Sequence, residues 1–160
     1  MKPLLKISNL SISFQVREAA FAAVKNLNLS INENQIVGLV GESGSGKSVT
    51  AMSIMRLLPE PKASYSDESS IVFDGEEILS ANKTSLRKIR GNKISMIFQE
   101  PMTSLNPYHR VGDQIVESIN LHKAQAKSEA VLEAKNLMNL VEIPEVDRRF
   151  SSYPYELSGG

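Results

Sequence analysis

The run from Gly41 to Ser48 constrains this chain more than any other stretch. It reads Gly-Glu-Ser-Gly-Ser-Gly-Lys-Ser and meets G-x-x-x-x-G-K-[ST] at every fixed position, Gly41, Gly46, Lys47 and Ser48. Before it, Gln35-Ile-Val-Gly-Leu-Val40 is a short apolar run suited to a buried strand. After it, Ala51, Met52, Met55 and Leu58 recur at helical spacing. Strand, glycine loop and helix together predict a phosphate-binding turn. Glycine lets the backbone bend tightly, so that successive N–H groups across Gly41, Glu42, Ser43, Gly44, Ser45 and Gly46 converge on phosphate oxygens. The new helix adds the positive end of its dipole, with the Val49 amide available to an α-phosphate. Lys47 would reach the β- and γ-phosphates, and the Ser48 hydroxyl would ligate Mg²⁺.

The rest of the composition bounds the alternatives. The chain has 160 residues, enough for a domain with its own core. Lys plus Arg equals Asp plus Glu at 18 each, so no net field recruits nucleic acid or anionic lipid. Cysteine is absent, which excludes disulfide frameworks and thiolate metal sites. The apolar run in Met1-Lys-Pro-Leu-Leu-Lys6 is too short for a signal peptide, and no window suits a membrane span. A membrane role is therefore expected to come through a partner.

Along the chain, period-two patterning over Leu4 to Ile31 predicts two half-buried antiparallel strands. One carries Ile7, Ile12, Phe14 and Val16, the other Leu27, Leu29 and Ile31, and they join near residues 17–20. Asn32-Glu-Asn34 reads as a turn, and the helix after Lys47 is expected to run to about Leu58, where Pro59 and Pro61 block it. Residues 62–70 read as polar loop, Ile71-Val-Phe73 as a strand entering an Asp74-Gly75 turn, and Thr84–Arg90 as a short basic helix. Ile94-Ser-Met-Ile-Phe98 is a second buried-strand candidate. Beyond a proline-pinned loop, Val111, Ile115 and Ile119 mark one helix, and Ala130, Val131, Ala134, Leu137, Met138 and Val141 another, with Met138 as core packing.

The chain closes on Leu157-Ser-Gly-Gly160. A phosphate loop, a glutamine (Gln99) ending an apolar run, a helical stretch and then Leu-Ser-Gly-Gly is an order that resembles an ABC-transporter nucleotide-binding domain, from about Leu4 onward. Gly-Glu-Ser-Gly-Ser-Gly-Lys-Ser-Val-Thr and Ile-Phe-Gln-Glu-Pro-Met-Thr-Ser-Leu-Asn-Pro resemble the oligopeptide, dipeptide and nickel importer ATPases. Gly91-Asn-Lys-Ile94 and the earlier Arg-Leu-Leu-Pro are similar to the microcin C/peptide importer ATP-binding subunits.

The resemblance implies an α/β fold of the P-loop NTPase class: β-subdomain strands over 1–34, a P-loop core with a partial parallel sheet over 35–100, and a helical subdomain over 101–160. It implies ATP and Mg²⁺ as ligands. Phe14 takes the place of the aromatic that stacks on adenine, with Phe21 as second candidate. Gln99 takes the place of the glutamine that touches Mg²⁺ and the attacking water, so Lys47 and Gln99 are the catalytic candidates, and Ser48 and Gln99 the metal ligands. Leu157, Ser158, Gly159 and Gly160 would contact ATP held by a second ABC ATPase domain, in a homo- or heterodimer or in tandem. The other implied partners are integral membrane permease subunits and, indirectly, a substrate-binding protein, with no nucleic acid. The implied location is the cytoplasmic face of the plasma membrane, peripherally bound.

The family continues past this Leu-Ser-Gly-Gly signature with a strand ending in a Mg²⁺-binding aspartate and catalytic glutamate, and later a switch histidine; none of these follows Gly160. His109 and His122 precede the signature and cannot be that histidine. The expectation is an N-terminal portion of an importer ATPase, poorly stable by itself and prone to associate, because the 35–40 strand lacks neighbours. Two alternatives are a nucleotide-binding fragment without turnover and an ABC ATPase not attached to a transporter.

Overall fold

The computed structural model describes residues 3–16, 19–99 and 104–157. The chain forms two compact units, residues 1–90 and 91–160.

The first unit is built on a long hairpin. β1 (Leu5–Val16) and β2 (Ala19–Ile31) pair antiparallel from Leu5↔Ile31 to Val16↔Ala19, as the alternation predicts. Strict period two cannot put both Ile7 and Ile12 on one face, because their numbers differ in parity. The pairing shifts between Ile7 and Leu10 and again before Ile12, and Asn9 and Asn26 sit at φ 49° and 47°. These bulges let Leu5, Ile7, Leu10 and Ile12 all be buried. Polar side chains take up the displaced amides: Asn9 N donates to Asn28 Oδ1 (3.0 Å) and Asn26 N to Ser11 Oγ (2.9 Å).

β4 (Ser70–Phe73) and β5 (Glu76–Glu77) turn through Asp74 and Gly75, both at positive φ, and β4 extends the sheet beside β1. β3 (Ala63–Tyr65) is a strand that the polar composition of 62–70 concealed; it pairs with β1 from Ile12↔Tyr65 to Phe14↔Ala63. The Tyr65 hydroxyl is buried with no hydrogen-bond partner among the described residues, and burial raises its pKa above the usual phenol value. Tyr65→Phe is therefore expected to stabilise the unit by about 1 kcal/mol in urea unfolding; a loss of stability would show that the hydroxyl is satisfied.

α1 (Lys47–Ile54) ends four residues before the expected Leu58. The prolines are not what stops it. Arg56 turns left-handed at φ 49°, and the Arg90 guanidinium donates to Met55 O (2.8 Å) and Arg56 O (2.6 Å), giving the carbonyl end of the helix a positive partner. Met55 and Leu58 are still buried, beyond the helix proper. α2 (Lys83–Ile89) is capped by Asn82, whose Oδ1 accepts from Ser85 N at 2.9 Å. Asn82→Ala is expected to cost about 1 kcal/mol of stability, read from the urea midpoint.

The P-loop NTPase class of fold stands, but its parallel sheet is a correction. Every strand pairing among the described residues is antiparallel. Residues 35–40 form no strand, with Ile36 fully exposed and Val40 at 93%. In the second unit, 95–98 likewise have no regular structure, and Ile97 is 94% exposed. Apolar sequence alone does not make a parallel strand: its hydrogen bonds must go to neighbours on both sides, and none is in place among the described residues. Such unpaired apolar runs template association. The chain is expected to self-associate with rising concentration in sedimentation velocity, and Ile36→Lys with Val40→Lys to reduce this; a concentration-independent monomer would overturn the expectation.

The second unit is helical, as periodicity predicts: α3 (Val111–His122), α4 (Lys127–Leu140) and α5 (Val146–Ser151), the last not foreseen as a separate element. Val116, Ala130 and Ala134 form its core, with Ile115, Ile119, Val131 and Phe150 packed around them. Met138 is buried, as core packing requires. Gly112 permits close approach of α3 and α5, since a Cβ there would lie 2.5 Å from the Phe150 ring. A 3₁₀ turn (Pro154–Glu156) follows. No described helix is long and apolar enough to cross a membrane.

Candidate phosphate-binding site

The glycine loop folds locally as the motif demands. Ser45 N donates to Glu42 O (3.2 Å), closing a turn, and Gly44 and Gly46 take φ of 80° and 90°, where only glycine is unstrained. Gly46 is also the N-cap of α1 and packs on β2. A Cβ there would stand 2.6 Å from Ala23 O and 3.1 Å from Val24 Cγ2.

The helix start is left open. Gly46 has no side chain to cap it, and there is no acidic residue in the first turn. The first intrahelical bond is Thr50 N to Gly46 O (2.8 Å), so the Lys47, Ser48 and Val49 amides precede any acceptor in the helix. Three orphan donors at a positive dipole end attract an anion.

Lys47 adds charge at the same place. Its Nζ donates to Gly41 O (2.7 Å) and Glu42 O (2.6 Å), and Ser45 Oγ lies at 3.3 Å, so the ammonium folds over the loop it follows. Its partners are neutral oxygens, which leaves the positive charge available to a phosphate. Ser48 is exposed, as a hydroxyl ligand to a cation beside the phosphates needs to be. A cleft of about 260 Å³ adjoins the loop, between Ala23, Val24, Leu39, Gly41, Lys47 and Thr50. Open amides, an ammonium and an exposed hydroxyl fit a magnesium–polyphosphate ligand.

Phe14 is half-buried and lies directly across the hairpin from Phe21, which is 62% exposed. The structure thus brings both aromatic candidates to one end of the hairpin, with Phe21 the more accessible. Gln99 is exposed and belongs to the second unit, as does half-buried Leu157. Ser158, Gly159 and Gly160 lie outside the described residues. The backing of Gly46 by the Ala23 carbonyl had no sequence signal, since a main-chain contact leaves no mark on side-chain identity.

The model of the ABC transporter family matches residues 24–160. The oligopeptide transport ATP-binding protein OppD of Haemophilus influenzae is 44% identical, covering 100% of this chain and 49% of that protein. The peptidoglycan transport ATP-binding protein YejF of Agrobacterium fabrum is 47% identical, over 99% of this chain and 29% of its own. The chain spans half or less of the length of these relatives. Among solved structures, the ATP-binding cassette MJ0796, a dimer in a post-hydrolysis state with ADP and Pi, superposes with a TM-score of 0.81 at 27% identity. The match covers 97% of this chain and 63% of that one. With the family model matching all but the first 23 residues, the chain belongs to the ABC transporter family and is similar to ATP-binding proteins of oligopeptide transport and putative peptide import.

Proposed function

We propose that this chain is the nucleotide-holding part of an importer ATPase, coupling ATP binding and hydrolysis to uptake of peptides or peptide-like compounds. The carrying observation is the uncapped start of α1, with Lys47 Nζ held over the loop carbonyls. In this reading residues 1–34 are the β subdomain, 35–100 the phosphate-loop core and 101–160 the helical subdomain. Loop amides from Gly41 to Val49 and Lys47 hold the phosphates, Ser48 and Gln99 hold Mg²⁺, and Phe14 stacks on adenine, with Phe21 as the second candidate. Mg²⁺ offsets the charge that builds on the β–γ bridge. Leu157–Gly160 face the ATP of a second ATPase domain, and permease subunits anchor the assembly at the cytoplasmic face of the membrane. The similarity to OppD, an oligopeptide transport ATP-binding protein, and to putative peptide import ATP-binding proteins supports peptide import over other ABC roles.

The test is equilibrium binding of Mg-ATP, followed by steady-state hydrolysis. Binding with turnover that Lys47→Ala abolishes would support an ATPase. Binding without turnover would reduce the chain to a nucleotide-holding fragment, and no binding would overturn the proposal. Copurification with nucleic acid instead of membrane subunits would overturn the importer assignment alone.

A further inference from the structure

Tyr153 and Tyr155 flank the buried Pro154 and stack on one another, with ring centroids 5.6 Å apart and planes inclined by 6°. Tyr153 is half-buried, whereas Tyr155 is 71% exposed. The turn beneath them is fixed on several sides. Glu156 Oε2 accepts from Tyr153 N (2.7 Å), Tyr153 O accepts from Glu156 N (3.0 Å), and Arg149 Nη1 donates to Glu156 O (2.9 Å). Leu157 N then donates to Pro154 O (3.1 Å), so the turn leads straight into Leu157. One ring backs the other on a clamped turn, and the outer ring is presented to solvent at little entropic cost on binding.

We infer that Tyr155 is an aromatic platform for the purine base of a nucleotide held by a facing ATPase domain, and so helps the assembly select a nucleoside triphosphate over a bare polyphosphate. The inference rests on the proposal above that Leu157–Gly160 face a partner's nucleotide. Two residues of chain keep Tyr155 within about 7 Å of Leu157. A rigid, exposed π-face suits a base, because every base offers a face for stacking. Tyr153 acts as a positioning residue, through its stack on Tyr155.

The test uses the whole chain carrying Tyr155→Trp; the protein has no tryptophan of its own, so tryptophan emission, excited beyond the tyrosine band, reports this position alone. Mg-ATP is expected to quench the emission together with ATP-driven dimerisation in sedimentation velocity, and Mg-tripolyphosphate to leave it unchanged. In the unlabelled protein, Tyr155→Ala is expected to weaken apparent ATP affinity about tenfold, and Tyr155→Phe to retain it. Tripolyphosphate affinity should be the same in both variants. ATP-driven dimerisation with unchanged emission, or with native ATP affinity in Tyr155→Ala, would overturn the base contact alone. Failure to bind ATP or to dimerise would overturn it together with the reading on which it rests.

Discussion

Replacing Lys47 by alanine is expected to lower Mg-ATP affinity by about a hundredfold or more, as measured by calorimetry, while the nucleotide-free protein unfolds at nearly its original denaturant midpoint. The asymmetry follows from where the side chain sits. Lys47 is half-buried, and its hydrogen bonds go to Gly41 O, Glu42 O and Ser45 Oγ, in a stretch that is largely exposed. Water can replace the ammonium at those carbonyls, so the loss to the free fold is about 1 kcal/mol. Water cannot replace it at a polyphosphate. Without the ammonium the phosphates keep the loop amides, the helix dipole and the Mg²⁺ of the proposed reading, and dipole–anion attraction alone contributes about 0.3–1 kcal/mol at an exposed site. Lys47→Arg should not rescue binding, because a planar guanidinium cannot take the place of a compact ammonium folded onto two adjacent carbonyls. Native affinity in Lys47→Ala would show that the loop does not hold the triphosphate.

Gly46→Ala is expected to damage both stability and binding, at a cost of about 3 kcal/mol in urea unfolding. Two terms add. At φ 90° any Cβ is strained, by roughly 1–2 kcal/mol. The new methyl would also stand 2.6 Å from Ala23 O, a main-chain atom in the paired strand β2 that cannot rotate away. Moving that strand or the helix start costs about 1–3 kcal/mol more, as overpacking does elsewhere. Gly44 supplies the control, because it has a similar φ of 80° but nothing within 4 Å of its Cβ position. Gly44→Ala should show the strain term only, so the difference between the two variants measures the contact with β2. Equal costs would mean that the loop does not pack on Ala23 in solution.

The residues differ in how far their roles could be read before folding. The glycine loop was legible because its chemistry is local: turn, helix start and ammonium lie within eight consecutive residues, Gly41 to Ser48, and each fixed position answers to a backbone angle or a charge. The hairpin and the two long helices were legible because burial on one face imposes a period on the sequence. β3 was not, since its short polar run is a strand only because β1 offers an edge for it. The end of α1 was set by Arg90, a residue 34 positions beyond one of the carbonyls that it holds.

By itself, then, the sequence determined the phosphate loop, the antiparallel hairpin, the helical character beyond Val111 and the family resemblance, all of which depend on neighbours in the chain. Only the tertiary structure decided that bulges at Asn9 and Asn26 reconcile the two halves of β1, that Gly46 rests on the Ala23 carbonyl, and that Tyr155 stands on Tyr153. It also decided that Gln35–Val40, apolar enough for a buried strand, stays unpaired. A strand's hydrogen bonds go to other segments, so a segment's own residues can state a preference for that state without supplying the partners that create it.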